Sequence, residues 1–174
     1  VYAYPEGAPA LAPQCAGRPG VVADHLPQTT ATGIRFTVTT PTNYQANRPH
    51  PLLVFWAPSG INEKLSEKFT GLTHEATTRG FVVAHAQSVP LGLKVLLELS
   101  AVPAQIMTTW FIDSSRVFYT GHSDGGTVSN ALAVMPGRAA DPTAIAPSAM
   151  GMQGADMAQY QCPPPLPVML MHNQ

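Results

Sequence analysis

One short segment has the residue types and spacing of a catalytic nucleophile. Residues 121–125 read GHSDG and match the pattern G-x-S-x-G, in which a sharp strand-to-helix turn raises a serine hydroxyl above the edge of a sheet. A β-rich run precedes the segment and a run of small, helix-compatible residues follows it. Ser123 is therefore the candidate nucleophile. The alternative is a glycine-rich turn that contains an incidental serine.

The residues on either side of Ser123 suit this chemistry. Gly121 and Gly125 lack side chains that would collide with the neighbouring strand and helix in so tight a turn. The helix that follows points its free N–H groups and the positive end of its dipole at the reaction centre. We therefore expect the amide of Asp124 to stabilise an oxyanion, as acyl transfer to Ser123 requires.

The elements around this turn predict one α/β domain with a mainly parallel sheet. Short apolar runs at residues 52–56 and 81–86 predict buried strands, and the helix between them, capped by Asn62, completes a βαβ unit. The proline-rich residues 1–20 are predicted to form an irregular arm, and residues 21–174 the domain. The other predicted elements are strands at 34–39, 117–120, 143–150 and 166–172, and helices at 91–110, broken or kinked at Pro103, and at 125–135.

Charge and hydropathy exclude some partners and indicate a compartment. Nine Lys plus Arg balance ten Asp plus Glu among 174 residues, so nothing recruits nucleic acid or an anionic membrane. No apolar run approaches the ~20 residues of a membrane span. Charged residues make up only 11 % and prolines number 18, a balance more common in exported proteins. We expect a secreted monomer, extracellular or periplasmic, whose signal peptide has been removed.

The metal-binding and thiol residues are few and scattered. Cys15 and Cys162 are the two cysteines of the chain, and an even pair favours one disulfide in an oxidising compartment. The alternative is two unrelated buried thiols. His25, His50, His74 and His85 lack metal-ligand spacing, so we predict neither a metal site nor an organic cofactor.

Four segments together resemble a known family. Residues 48–55, 80–84, 113–126 and 167–172 occur in the order found in secreted α/β-hydrolase esterases of the polyhydroxybutyrate depolymerase and feruloyl esterase group. The match is specific around Ser123 and weaker elsewhere. The resemblance implies the α/β-hydrolase fold and a serine carboxylesterase. Its substrate would be an ester, polymeric or bulky: a polyester, or a phenolic or acetyl ester of plant cell walls.

Two departures from that family concern the rest of the site. The family has a His-Gly turn after the strand that matches residues 52–56, whereas this chain has Ala57, Pro58 and Ser59. Proline has no N–H to donate, so the Ser59 amide, assisted by its hydroxyl, is the candidate second oxyanion donor, unless Ser59 is only a turn residue. Trp56 is a candidate substrate-lining residue, the alternative being a core position.

The second departure is the catalytic triad, which in this family runs in the order Ser, acid, His. The resemblance implies that the acid and the histidine lie beyond residue 174. A triad of Ser123, Asp156 and His172 keeps this order. The strand register, however, matches His172 to the histidine of a His-Gly turn in the family rather than to its catalytic histidine. His122 is expected to pack beneath the nucleophile rather than act as its base.

Two other functions remain open. One is a peptidase on the same fold, because fold does not settle function. The other is a hydrolase-fold binding protein without activity, which the altered oxyanion turn also suits.

The cysteine prediction can be tested directly by thiol alkylation of the denatured protein. We expect neither Cys15 nor Cys162 to be alkylated before reduction and both after it, because a disulfide has no thiolate. Peptide mass spectrometry reports the linked pair. Alkylation of both cysteines without reduction would establish two free thiols.

Overall fold

A six-stranded sheet forms the centre of the computed structural model, which describes Ala3, residues 18–158, Tyr160 and residues 164–172. The strands in this part of the chain are β1 (Leu26–Thr29), β2 (Arg35–Thr39), β3 (His50–Trp56), β4 (Val82–Ala86), β5 (Ile112–His122) and β6 (Ala144–Ser148). The helices are α1 (Glu63–Thr70), α2 (Leu72–Thr78), α3 (Leu93–Leu99), α4 (Ala101–Thr109), α5 (Asp124–Val134) and α6 (Gly154–Met157).

The strand order is β1-β2-β4-β3-β5-β6, with parallel pairing from β4 to β6 and antiparallel pairing of β1 and β2 at one edge. The predicted mainly parallel sheet is thus confirmed. The βαβ unit is confirmed as well, since α1 and α2 connect the parallel strands β3 and β4.

The two faces of the sheet bury different helices, because successive strand residues point to opposite sides. Val54 and Trp56 of β3 belong to the main hydrophobic core, together with Leu132 of α5. Phe55, between them in sequence, faces Phe69 of α1 instead, with ring centroids 6.4 Å apart. Strand β3 is almost completely buried on both sides, as its apolar run predicts.

Both long predicted helices are divided, one where no break was predicted and the other at a different residue from the predicted one. Gly71 adopts φ 62° and ends α1, so that the helix capped by Asn62 becomes α1 and α2. The break predicted at Pro103 lies instead at Ser100. Pro103 then falls in the first turn of α4, where a missing N–H costs no helical hydrogen bond.

The predicted strand at 166–172 is shorter than its pattern indicated. Two isolated parallel bridges join it to β6, at the pairs Ile145 with Val168 and Ser148 with Met171. Most of the predicted arm at residues 1–20, Cys15 and Cys162 lie outside the described residues, so the disulfide stays a prediction. None of the helices within the described ranges is long and apolar enough to span a bilayer.

A buried histidine stabilises the packing of α1 on the sheet. His85 of β4 is 1 % exposed, and its Nε2 lies 3.2 Å from the Thr70 hydroxyl. Burial lowers its pKa to about 4, although the nearby Glu67 carboxylate acts in the opposite direction. The folded protein therefore holds this imidazole neutral.

The His85 pKa predicts a loss of stability in acid. A depressed folded pKa contributes stability that is present above the unfolded value of 6.5 and lost as the pH falls toward 4. Between about pH 7 and about pH 4.5, the unfolding free energy of the native protein should fall by ~2 kcal/mol more than that of His85→Gln. Urea unfolding at both pH values measures this difference. Equal losses in the two proteins would contradict it.

Candidate active site

The turn at Ser123 has the strained backbone of a nucleophile elbow. Ser123 joins β5 to α5 with φ 57° and ψ −120°, a conformation that costs a non-glycine residue about 1–3 kcal/mol. Two backbone hydrogen bonds hold it there. The Ser123 N–H donates to the Ser148 carbonyl at 2.9 Å, and the Thr127 N–H donates to the Ser123 carbonyl at 3.0 Å.

Three glycines allow the chain to pass through this turn. A Cβ on Gly125 would overlap the Trp56 carbonyl oxygen, and one on Gly121 would lie 2.8 Å from that same oxygen. A Cβ on Gly126 would come within 2.5 Å of the Ser148 carbonyl oxygen. The elbow therefore packs tightly between the ends of β3 and β6. Each of the three glycines is required because a neighbouring backbone carbonyl occupies the space of a Cβ.

The amide predicted to hold an oxyanion belongs to the first turn of α5. Asp124 is the first helical residue, so its N–H has no acceptor within the helix. The positive end of the helix dipole lies at the same point. Both features favour negative charge beside Ser123, so the geometry is compatible with the predicted role.

The second predicted donor lies in a tight turn that begins against the elbow. Residues 58–61 form a turn closed by the Ile61 N–H to the Pro58 carbonyl at 3.3 Å, and Gly60 has the positive φ, 77°, that a type II turn needs. Ser59 is exposed. Within the described ranges its N–H and hydroxyl make no hydrogen bond with the protein, which leaves both available to a ligand.

His122 packs against residues next to Ser123, as the sequence predicts. Its Nδ1 lies 3.1 Å from the Ser148 hydroxyl, and its ring lies 5.7 Å from that of Phe69. Both contacts are with residues of other elements. This supports a positioning role and gives His122 no contact with the Ser123 hydroxyl.

The described residues contain no assembled triad. Ser123 Oγ makes no hydrogen bond to a histidine or carboxylate within the described part of the chain, and His172 is exposed. The side chain of Asp156 lies outside what the structure describes. The combination of Ser123, Asp156 and His172 thus gains no support, and the acid and base remain predictions.

Trp56 occupies the core rather than a cleft. It is 1 % exposed and meets the Tyr119 ring edge-on, at 5.5 Å between centroids and 85° between planes. The reason is strand alternation, since Trp56 shares the inward face of β3 with Val54. The suggestion that Trp56 lines a substrate cleft is therefore corrected: its side chain has no open surface to present.

Sequence reasoning missed Ser148 and Thr127 as supports of the elbow. Ser148 ends β6, and its carbonyl accepts the Ser123 N–H. No local motif marks it, because the contact depends on the pairing of β5 with β6.

Groups of three or more metal-binding side chains are absent from the described ranges.

Comparison with solved structures identifies the fold. The fluorophosphonate-binding serine hydrolase F of Staphylococcus aureus superimposes with a TM-score of 0.61 at 14 % identity, covering 80 % of this chain and 61 % of that one. S-formylglutathione hydrolase of the same organism gives 0.62 at 14 %, covering 78 % and 60 %. Butyrate-bound esterase 2 of Thermogutta terrifontis gives 0.57 at 12 %, covering 76 % and 54 %.

These likenesses show the α/β-hydrolase fold. The chain spans less than two thirds of the length of each of the three structures. No family model and no curated protein sequence matches it.

The close approach at Gly125 predicts a large effect of one methyl group. Gly125→Ala should lower the unfolding free energy by about 1–3 kcal/mol or more, because its Cβ overlaps the Trp56 carbonyl. Helix propensity alone predicts a gain of about 1 kcal/mol, so the sign of the change identifies the collision. Urea unfolding provides the measurement.

Gly151→Ala is the matched control. Its Cβ would meet only the Thr127 hydroxyl, at 4.0 Å, so stability should change little. Equal stability of the Gly125 variant and this control would contradict the close packing of Gly125 against the Trp56 carbonyl.

Proposed function

We propose that the protein is a serine carboxylesterase with Ser123 as its nucleophile. The observation that carries the proposal is the strained backbone of Ser123 at the junction of β5 and α5. A strained conformation persists only where the surrounding structure holds it, and such positions cluster at functional sites. Here three close-packed glycines and the Ser148 carbonyl hold the strain.

The proposed reaction is acyl transfer. The Ser123 hydroxyl attacks the ester carbonyl while a histidine takes its proton and passes it to the departing alcohol. The amides of Asp124 and Ser59 stabilise the oxyanion. Water then attacks the acyl-enzyme, which releases the acid and restores the serine. The family resemblance implies that the histidine and the acid lie beyond residue 174, and within the described residues the Ser123 hydroxyl makes no hydrogen bond to a histidine or a carboxylate.

We also propose a substrate class and a compartment for the esterase. The solved structures similar in fold include proteins named as serine hydrolases and esterases, one of them with butyrate bound. The sequence resemblance in turn favours a polyester or a phenolic or acetyl ester of plant cell walls. Low charge and the two cysteines favour export.

A binding protein without activity is the second candidate function. It is favoured by the absence of a described partner for the Ser123 hydroxyl and by the proline in the turn after β3. Turnover separates the candidates: an esterase cleaves esters, a peptidase cleaves the matching amides as well, and a binding protein cleaves neither.

Replacement of Ser123 tests the proposal in the complete protein. The native protein should be labelled by a fluorophosphonate and should hydrolyse p-nitrophenyl esters. Ser123→Ala should lose the label and lower kcat/KM by about 10⁴-fold or more, because no other described group replaces the nucleophile. Ser115→Ala is the control, since Ser115 is exposed and hydrogen-bonded to Asp113.

An unlabelled native protein without turnover would favour the binding protein. Labelling that survives in Ser123→Ala would assign the nucleophile to another residue.

A further inference from the structure

A cavity of about 470 Å³ opens beside α5. Three leucines from α3 and the loop before it form one wall, and the residues after β6 form another. The lining residues that matter here are Leu91, Leu93, Leu96, Thr127, Gly151 and Met152. This volume lies within the ~300–1,000 Å³ typical of small-molecule sites.

The cavity is close to the nucleophile. Thr127 follows Ser123 by four residues, about 6 Å along the helix axis, and donates its N–H to the Ser123 carbonyl. The Thr127 hydroxyl accepts the Gly151 N–H at 3.0 Å, which fixes the opposite wall to the same helix. The Asn130 side-chain amide, one turn further along α5, donates to the Met152 sulfur at 3.0 Å.

The chemistry of the walls selects an uncharged group. None of the described lining residues is Asp, Glu, Lys, Arg or His. Leu93 is 63 % exposed and Leu91 38 %, so the cavity presents apolar surface to solvent. Apolar surface that is exposed at a concave site marks a place where a ligand replaces water.

We propose that this cavity binds an uncharged, apolar group of the ester held at Ser123, larger than acetyl. The inference rests on the proposed function and adds the residues that set substrate preference. The group belongs to the acyl or to the alcohol side of the ester, and the chemistry is the same in both cases. Leu93, Leu96 and Met152 are specificity-determining residues in this assignment.

Filling the cavity from Gly151 tests the proposal. Gly151 has no positive φ, and its Cβ would meet only the Thr127 hydroxyl, at 4.0 Å, so a larger side chain fits the backbone. In the complete protein, Gly151→Phe should lower kcat/KM for p-nitrophenyl octanoate by about tenfold or more relative to p-nitrophenyl acetate. A second series, methyl against benzyl acetate, assigns the group to the acyl or the alcohol side.

Two controls separate filling from general damage. Gly154→Phe introduces the same side chain at a glycine with open space around it that does not line the cavity, and should leave the octanoate-to-acetate ratio unchanged. Leu93→Gln should lower that ratio, whereas Leu65→Gln, at an exposed leucine of α1, should not. Fluorophosphonate labelling verifies that each variant retains a competent Ser123.

The outcomes are distinguishable. If the native protein turns over esters but Gly151→Phe and Leu93→Gln change neither the octanoate-to-acetate ratio nor the benzyl-to-methyl ratio, only the cavity assignment is overturned. A native protein that neither cleaves esters nor accepts the label overturns the proposed function, and the assignment with it.

Discussion

The contact between the end of β3 and the start of α5 is the constraint on which the rest of the site depends. The Trp56 carbonyl oxygen lies so close to Gly121 and Gly125 that no side chain fits at either position. This approach forces the chain to turn within one residue and places Ser123 in a strained conformation. Because β3 is buried on both faces and paired on both edges, it does not yield to relieve the strain.

The same contact adjoins the two segments that carry the proposed oxyanion donors, the amides of Asp124 and Ser59. The turn at residues 58–61 begins directly after the segment that touches Gly125, and α5 begins directly after Ser123. The position of the helix dipole, of the Asp124 amide and of Ser123 thus depends on one packing arrangement of two parallel strands and a helix. Placement of this kind on rigid elements suits a group that must act without rearrangement.

The fold places Ser123 in a strained turn without settling a function or a substrate, since α/β-hydrolase scaffolds support many chemistries. The residues that line the cavity beside α5 narrow the range of substrates that we propose. The described walls contributed by α3 and by the residues after β6 carry no charged side chain, and the Thr127 hydroxyl links the second wall to the helix that follows Ser123. The two elements that form the cavity are far apart in sequence and belong to separate βα connections.

The sequence by itself predicted most strands of the sheet and the strand-to-helix turn at the candidate nucleophile Ser123. The apolar run of β3, the cap at Asn62 and the pattern around Ser123 are local signals, because each depends on residues within one or two turns or on strand alternation. The tertiary structure alone decided that Trp56 is buried and that the Ser148 carbonyl accepts the Ser123 N–H. These features arise from which strand faces which helix and from backbone approaches between distant segments, and no short sequence pattern carries that information.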